Sequence, residues 1–239
     1  MTFEVCAGNI QSASAAQRAG AHRIELCSSL NAGGLTPSLG LIHAAVRALD
    51  IPVHVLIRPR EGDFCYSKAE LNIILDDIEL CQKAGAAGVV VGALSMDRRL
   101  DLPIMKAMKT VAGDMDITCH RAFDYIEDIS EALEQLIEMG YDRVLSSGKA
   151  ASAFEGMFLL QRMVQQANGR ISVMPGAGIN AENIRKIAEI TGAKEFHFTG
   201  KKKVSVAGES EIPGLETWHW ESDEANIYFT AKAAKSAKV

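Results

Sequence analysis

Short apolar runs alternate along the chain with longer segments in which apolar residues recur every three or four positions. The short runs are Thr2–Cys6, Arg23–Cys27, Val53–Ile57, Gly88–Val91, Asp116–His120, Arg143–Ser146, Ile171–Met174 and Glu195–Phe198, each of strand length. Helical periodicity marks Ser12–Ala19, Leu39–Leu49, Lys68–Ala84, Leu102–Val111, Ile129–Met139, Phe154–Ala167 and Ala181–Ile190. Ser38 and Asn180 stand where helix caps are expected, and Gly20, Gly85 and Gly140 stand where helices stop. Strand–helix alternation implies parallel strands joined by right-handed crossovers. The pattern therefore predicts an α/β fold, a single (β/α)8 TIM-type barrel over residues 1–200. A doubly wound open sheet shares the alternation, but eight near-equal units favour closure.

The pattern breaks after the eighth strand. Residues 201–239 carry Lys201-Lys202-Lys203, Pro213-Gly214, both tryptophans of the chain (Trp218 and Trp220) and a final stretch that reads as a short helix. This predicts a C-terminal extension that packs on the barrel or forms an oligomer contact.

Composition narrows the function classes. The 239 residues suit one barrel, which typically needs roughly 250. A net charge of −5 without a basic stripe argues against nucleic-acid binding. No apolar run approaches a membrane span, and no secretory signal pattern opens the chain, so a cytoplasmic setting is expected. The five cysteines (Cys6, Cys27, Cys65, Cys81, Cys119) are odd in number and widely spaced, which predicts free thiols.

Barrel sites lie at the C-terminal ends of the strands. At period two, Arg23, Glu25 and Cys27 share one strand face, as do Glu4 and Cys6 on the first strand. Arg58, Arg60 and Arg121 are candidate anion contacts, since a guanidinium fork matches carboxylate or phosphate; salt bridges inside the mouth are the other reading. Ser147, Gly148, Gly176 and Gly178 resemble a backbone cradle for phosphate before a helix, or ordinary tight turns. His120 and His197 both end strands, and the neighbouring Arg121 and Asp124 favour His120 as a proton-moving group. Glu25 or Asp124 would orient it. Cys6 and Cys27 end adjacent strands, roughly 4.8 Å apart if paired in the usual way. Two converging thiols suit a soft ion such as Cu(I), and small buried cysteines also simply fill a core.

In order along the first 200 residues stand Glu4-Val5-Cys6, Arg23-Ile24-Glu25-Leu26-Cys27, Gly33-Gly34-Leu35-Thr36-Pro37-Ser38 and Ile57-Arg58-Pro59-Arg60. Gly62-Asp63-Phe64-Cys65-Tyr66, His120-Arg121-Ala122-Phe123-Asp124, Ser146-Ser147-Gly148 and Gly176-Ala177-Gly178-Ile179 follow. Together these resemble the CutC family, named for copper homeostasis. The resemblance implies a barrel, a cytoplasmic homo-oligomer (a dimer first) and Cu(I) held through thiols, which carries onto Cys6 and Cys27. Thr118-Cys119 before His120, and Leu145-Ser146, depart from the family pattern without touching either thiol. A metal carrier needs little more than its thiols, whereas this rim also holds arginines, a histidine, acids and glycine loops. The alternative expectation is therefore an enzyme acting on a small anionic or phosphorylated substrate at the barrel mouth.

Overall fold

The computed structural model describes residues 1–205 and 218–237. Eight strands form one sheet: β1 (Thr2–Ala7), β2 (Arg23–Leu26), β3 (Val53–Leu56), β4 (Gly88–Val91), β5 (Asp116–Cys119), β6 (Arg143–Ser146), β7 (Ser172–Pro175) and β8 (Glu195–Phe198). They pair in parallel from β7 back through β1, and β1 pairs with β8. Among the described residues no hydrogen-bonded ladder joins β7 to β8, so the barrel closes with a seam. Glu195 of β8 spans the seam by pairing with Arg143 of β6 at 2.9 Å, and on its own side of the seam it pairs with Arg23 of β2 at 2.7 Å.

Helices α1 (Ile10–Arg18), α2 (Leu39–Ala48), α3 (Lys68–Ala84), α4 (Leu102–Ala112), α5 (Ile129–Glu138), α6 (Met157–Ala167) and α7 (Ile184–Thr191) follow the first seven strands. Side-chain caps set most of their starts. Ser38 accepts from the Leu41 amide as expected, and Ser67 with Glu70 forms a reciprocal capping box on α3. Three starts differ from the periodicity. α1 begins two residues earlier, at Ile10, because Asn9 accepts from the Ser12 amide and caps it there. α6 begins at Met157, because Gly156 lies against the Ser147–Gly148 backbone too closely for any Cβ and holds the preceding residues in turns. α7 begins at Ile184, because Asn180 accepts from the Glu182 amide and Asn183 accepts from the Asn180 amide, closing a turn where the helix was expected. Asn180 therefore does not cap α7. β5 stops at Cys119, and His120 instead caps a 3₁₀ turn over Arg121–Tyr125.

The extension folds back on the barrel. β9 (Lys201–Ser205) and β10 (Trp218–Ser222) form an antiparallel hairpin, and α8 (Glu224–Lys235) buries Ile227, Ala231 and Ala234 beside α1 and α7. The Ser222 amide donates to Ser12 in α1, and the Trp220 indole donates to Asn31 at 2.7 Å. The helical end is thus longer than the final stretch predicted. Pro213-Gly214 lies outside the described residues.

The apolar core sits between sheet and helices, built from outward-facing strand residues such as Phe3, Val5, Ile24, Val55, Val89 and Ile117. The inside of the barrel is charged. Glu4 meets Arg23 at 2.5 Å and His197 at 2.8 Å, and Arg143 meets Asp116 at 2.9 Å. Contacts between strands that are not neighbours, such as Arg23 with Met174, can only cross the interior.

Candidate functional site

A cavity of about 460 Å³ opens at the C-terminal ends of the strands. Its apolar walls are Leu30, Leu56, Phe64, Leu145, Ile179 and Phe198. Cys6, Glu25 and His197 also line it, and one ligand atom from each lies within 4.8 Å of the other two. All three are buried. Parity explains the convergence: Cys6 is two residues beyond Glu4 on β1, and β1 lies between β2 and β8.

Electrostatics tie the cluster to the interior. Burial alone would raise Glu4, but the His197 hydrogen bond and Arg23 hold its carboxyl far below the usual range. Burial raises Glu25. Burial pulls His197 down, yet Glu25 and Glu4 together outweigh it and hold the imidazole above its ordinary value. The Cys6 thiol is pushed well up by its contact with Cys27, then by burial. The Cys6 and Cys27 sulfurs are 3.5 Å apart, so the strand-end thiols do meet. Cys27 does not line the cavity; it packs with Cys6, Leu56 and Val90 in a small apolar cluster, under Gly34. At Gly34 (φ +91°) a Cβ would stand 2.5 Å from Leu56, so only glycine lets the loop cover the thiol.

His120 lines the opposite side of the cavity. Its Nδ1 accepts the Ala122 amide, which puts the ring proton on Nε2; that nitrogen is buried and has no partner among the described residues. Burial, reinforced by Arg58, lowers its pKa to about 3. The ring thus presents its Nε2–H toward the cavity it lines. Gly92 makes room for it, since a Cβ there would lie 2.6 Å from the ring.

The other sequence candidates divide. Arg58 lines the cavity, but Nη1 donates to the Ala32 and Gly34 carbonyls and Nη2 to that of Gly62, leaving a buried Nε–H without a partner among the described residues. Arg60 points away, bonded to Glu70, Asp63 and the Cys65 carbonyl. Arg121 stands half-exposed at the rim, held by Asp124 at 2.9 Å and Ser147 at 2.8 Å. Asp124 does not orient His120; it accepts the Ser147 and Lys149 amides and shapes the loop after β6. Gly178 lines the cavity, with Thr199 and Lys201, whereas Ser147, Gly148 and Gly176 do not. Gly148 packs on Gly156, and Gly176 packs on Leu145 and His197. In the sequence, His120 has a more suggestive context than His197, and His54 has none. His54 is buried 3.6 Å from Asp116 and sits over Gly88 as His120 sits over Gly92. A glycine at each end of the Gly88–Gly92 stretch, beside strands bearing histidines, was the available signal.

Fold and site together define a TIM-type barrel with a thiol, a carboxylate and an imidazole converging beneath its mouth. The CutC family model matches residues 1–202, and the chain belongs to the CutC family. A family protein CutC from Pasteurella multocida is 48% identical over 201 residues, covering 84% of this chain and 82% of its own. The human relative, named copper homeostasis protein cutC homolog, is 46% identical over 199 residues, covering 83% and 73%. The crystal structure of a CutC from Streptococcus agalactiae superposes with a TM-score of 0.80 at 33% identity, covering 83% of this chain and 98% of that one.

Proposed function

We propose that this protein handles copper, taking Cu(I) on the thiols of Cys6 and Cys27 at the barrel mouth. The observation that carries the reading is the pair of sulfurs 3.5 Å apart, one of them reached from the cavity. The donors fit the ion: thiolates are soft ligands, Cu(I) is a soft ion, and the apolar surroundings of Leu56 and Val90 keep water from the bond. Bound there, copper would be stored or passed on. Cys6 presents the accessible sulfur, and Cys27 closes the site from below. Five free cysteines suit a reducing, cytoplasmic setting, and the human relative is named copper homeostasis protein cutC homolog. An anaerobic Cu(I) competition titration tests this. Tight stoichiometric binding lost in Cys6→Ser/Cys27→Ser is expected; affinity unchanged in that variant would end the reading.

A second reading has its own observation. The Nε2–H of His120 and the Nε–H of Arg58 are buried donors with no acceptor among the described residues, and Arg121 and Lys201 stand at the rim of the same cavity. This supports a small anionic substrate, carboxylate or phosphate, at the mouth. Thermal-shift screening of such compounds against wild type and Arg121→Ala is the check, with a stabilisation that weakens in the variant expected.

A further inference from the structure

The two sulfurs leave much of the mouth cluster unexplained. Glu25 and His197 are not needed for a thiol site, yet both converge on Cys6. The Nε2 of His197 faces Oε2 of Glu25 at 3.7 Å, beyond hydrogen-bond range. Nδ1 of His197 is bonded to the buried Glu4 at 2.8 Å. If that nitrogen carries the proton, the Nε2 lone pair faces a carboxylate with a gap between them. A carboxylate behind an imidazole is the arrangement that fixes the tautomer of metal-bound histidines.

We infer that Cys6 Sγ, Glu25 Oε2 and His197 Nε2 form a three-donor site for a divalent ion of the zinc class, with the fourth position open to the mouth cavity. The donor set selects the ion. An all-oxygen cage would suit magnesium or calcium and an all-sulfur pair Cu(I), whereas mixed sulfur, nitrogen and oxygen is the zinc pattern. The spacing agrees: with metal–nitrogen and metal–oxygen bonds of about 2.1 Å, a 3.7 Å separation subtends an angle of about 125°. Three protein donors plus one open position is the form zinc takes where it binds a water or a substrate oxygen. Arg121, Lys201 and the His120 Nε2–H, which has no partner among the described residues, line the same cavity, so the fourth ligand would be an anionic oxygen. The site shares Cys6 with the copper site but does not use Cys27, which does not line the cavity. It is independent of the copper reading.

The experiment titrates Co²⁺, as a spectroscopic stand-in, and Zn²⁺ into the reduced, metal-free full chain. One equivalent is expected, with a thiolate-to-cobalt charge-transfer band. Cys6→Ser should abolish the band, and Glu25→Gln and His197→Gln should each weaken affinity at least tenfold, with folding checked by circular dichroism. Cys27→Ser should keep the band while losing Cu(I), which separates this site from the sulfur pair. Absence of saturable binding in wild type, or loss of the band in Cys27→Ser, overturns the inference. Should the cluster variants fail to fold, X-ray absorption of the zinc-loaded wild type decides: one sulfur with nitrogen and oxygen neighbours supports the site, and two sulfurs overturn it.

Discussion

At the scale of single residues, the interior histidines govern the response to acid. Burial lowers His54 to about 4 and His120 to about 3, so the folded chain binds fewer protons than the unfolded chain between those values and about 6.5. Stability should therefore fall as pH drops below about 6.5. Glu4, held low, adds to the loss below the ordinary glutamate range, because the unfolded chain protonates there first. His197 works in the opposite direction: its contribution is present in acid and lost as pH rises through its raised value. Urea unfolding between pH 7 and 5 should show a shallower loss in His54→Gln than in wild type; equal slopes would remove His54 from the account. Space is as restrictive as charge. Gly92→Ala places a Cβ 2.6 Å from the His120 ring, and overpacking of this kind costs about 1–3 kcal/mol, readable as a lower Tm.

At the scale of elements, the strands were legible because inward and outward residues alternate. That alternation puts Cys6 and Cys27 at the ends of adjacent strands, and their sulfurs meet there. The starts of α6 and α7 were not legible, because backbone packing at Gly148–Gly156 and asparagine turns at Asn180–Asn183 set them, and periodicity carries neither. The roles of the arginines were half legible. Their positions at strand ends were right, but whether a guanidinium faces the cavity or its own loop depends on carbonyls that sequence does not orient. Arg58 joins the loop before α2 to the loop before α3 through three carbonyls. Arg58→Met leaves those acceptors without their partner, at about 1–3 kcal/mol each where they stay buried. Limited proteolysis should then cut near residues 31–35 sooner than in wild type; an unchanged pattern would deny the arginine this joining role.

At the scale of the molecule, the extension completes the outer layer. Ile227 of α8 is fully buried, and Gly200 approaches it so closely that a Cβ there would stand 2.6 Å from the Ile227 side chain. Ile227→Ala should cost about 2–5 kcal/mol, and chemical denaturation should report it as a lower midpoint. A loss under 1 kcal/mol would mean that α8 adds little to the barrel's stability.

The missing ladder between β7 and β8 makes the barrel a split ring. A ring with one unbonded joint opens there first, since among the described residues no strand ladder must break there, only side-chain ties such as Glu195 to Arg143 and Arg23 to Met174. His197 sits on the β8 lip of that joint. Breathing at the split would move the imidazole relative to Cys6 and Glu25 on the neighbouring strands. Deuterium uptake should be faster at β7 and β8 than at β3 and β4, and an ion bridging Cys6, Glu25 and His197 should slow it, acting as a clasp on the ring.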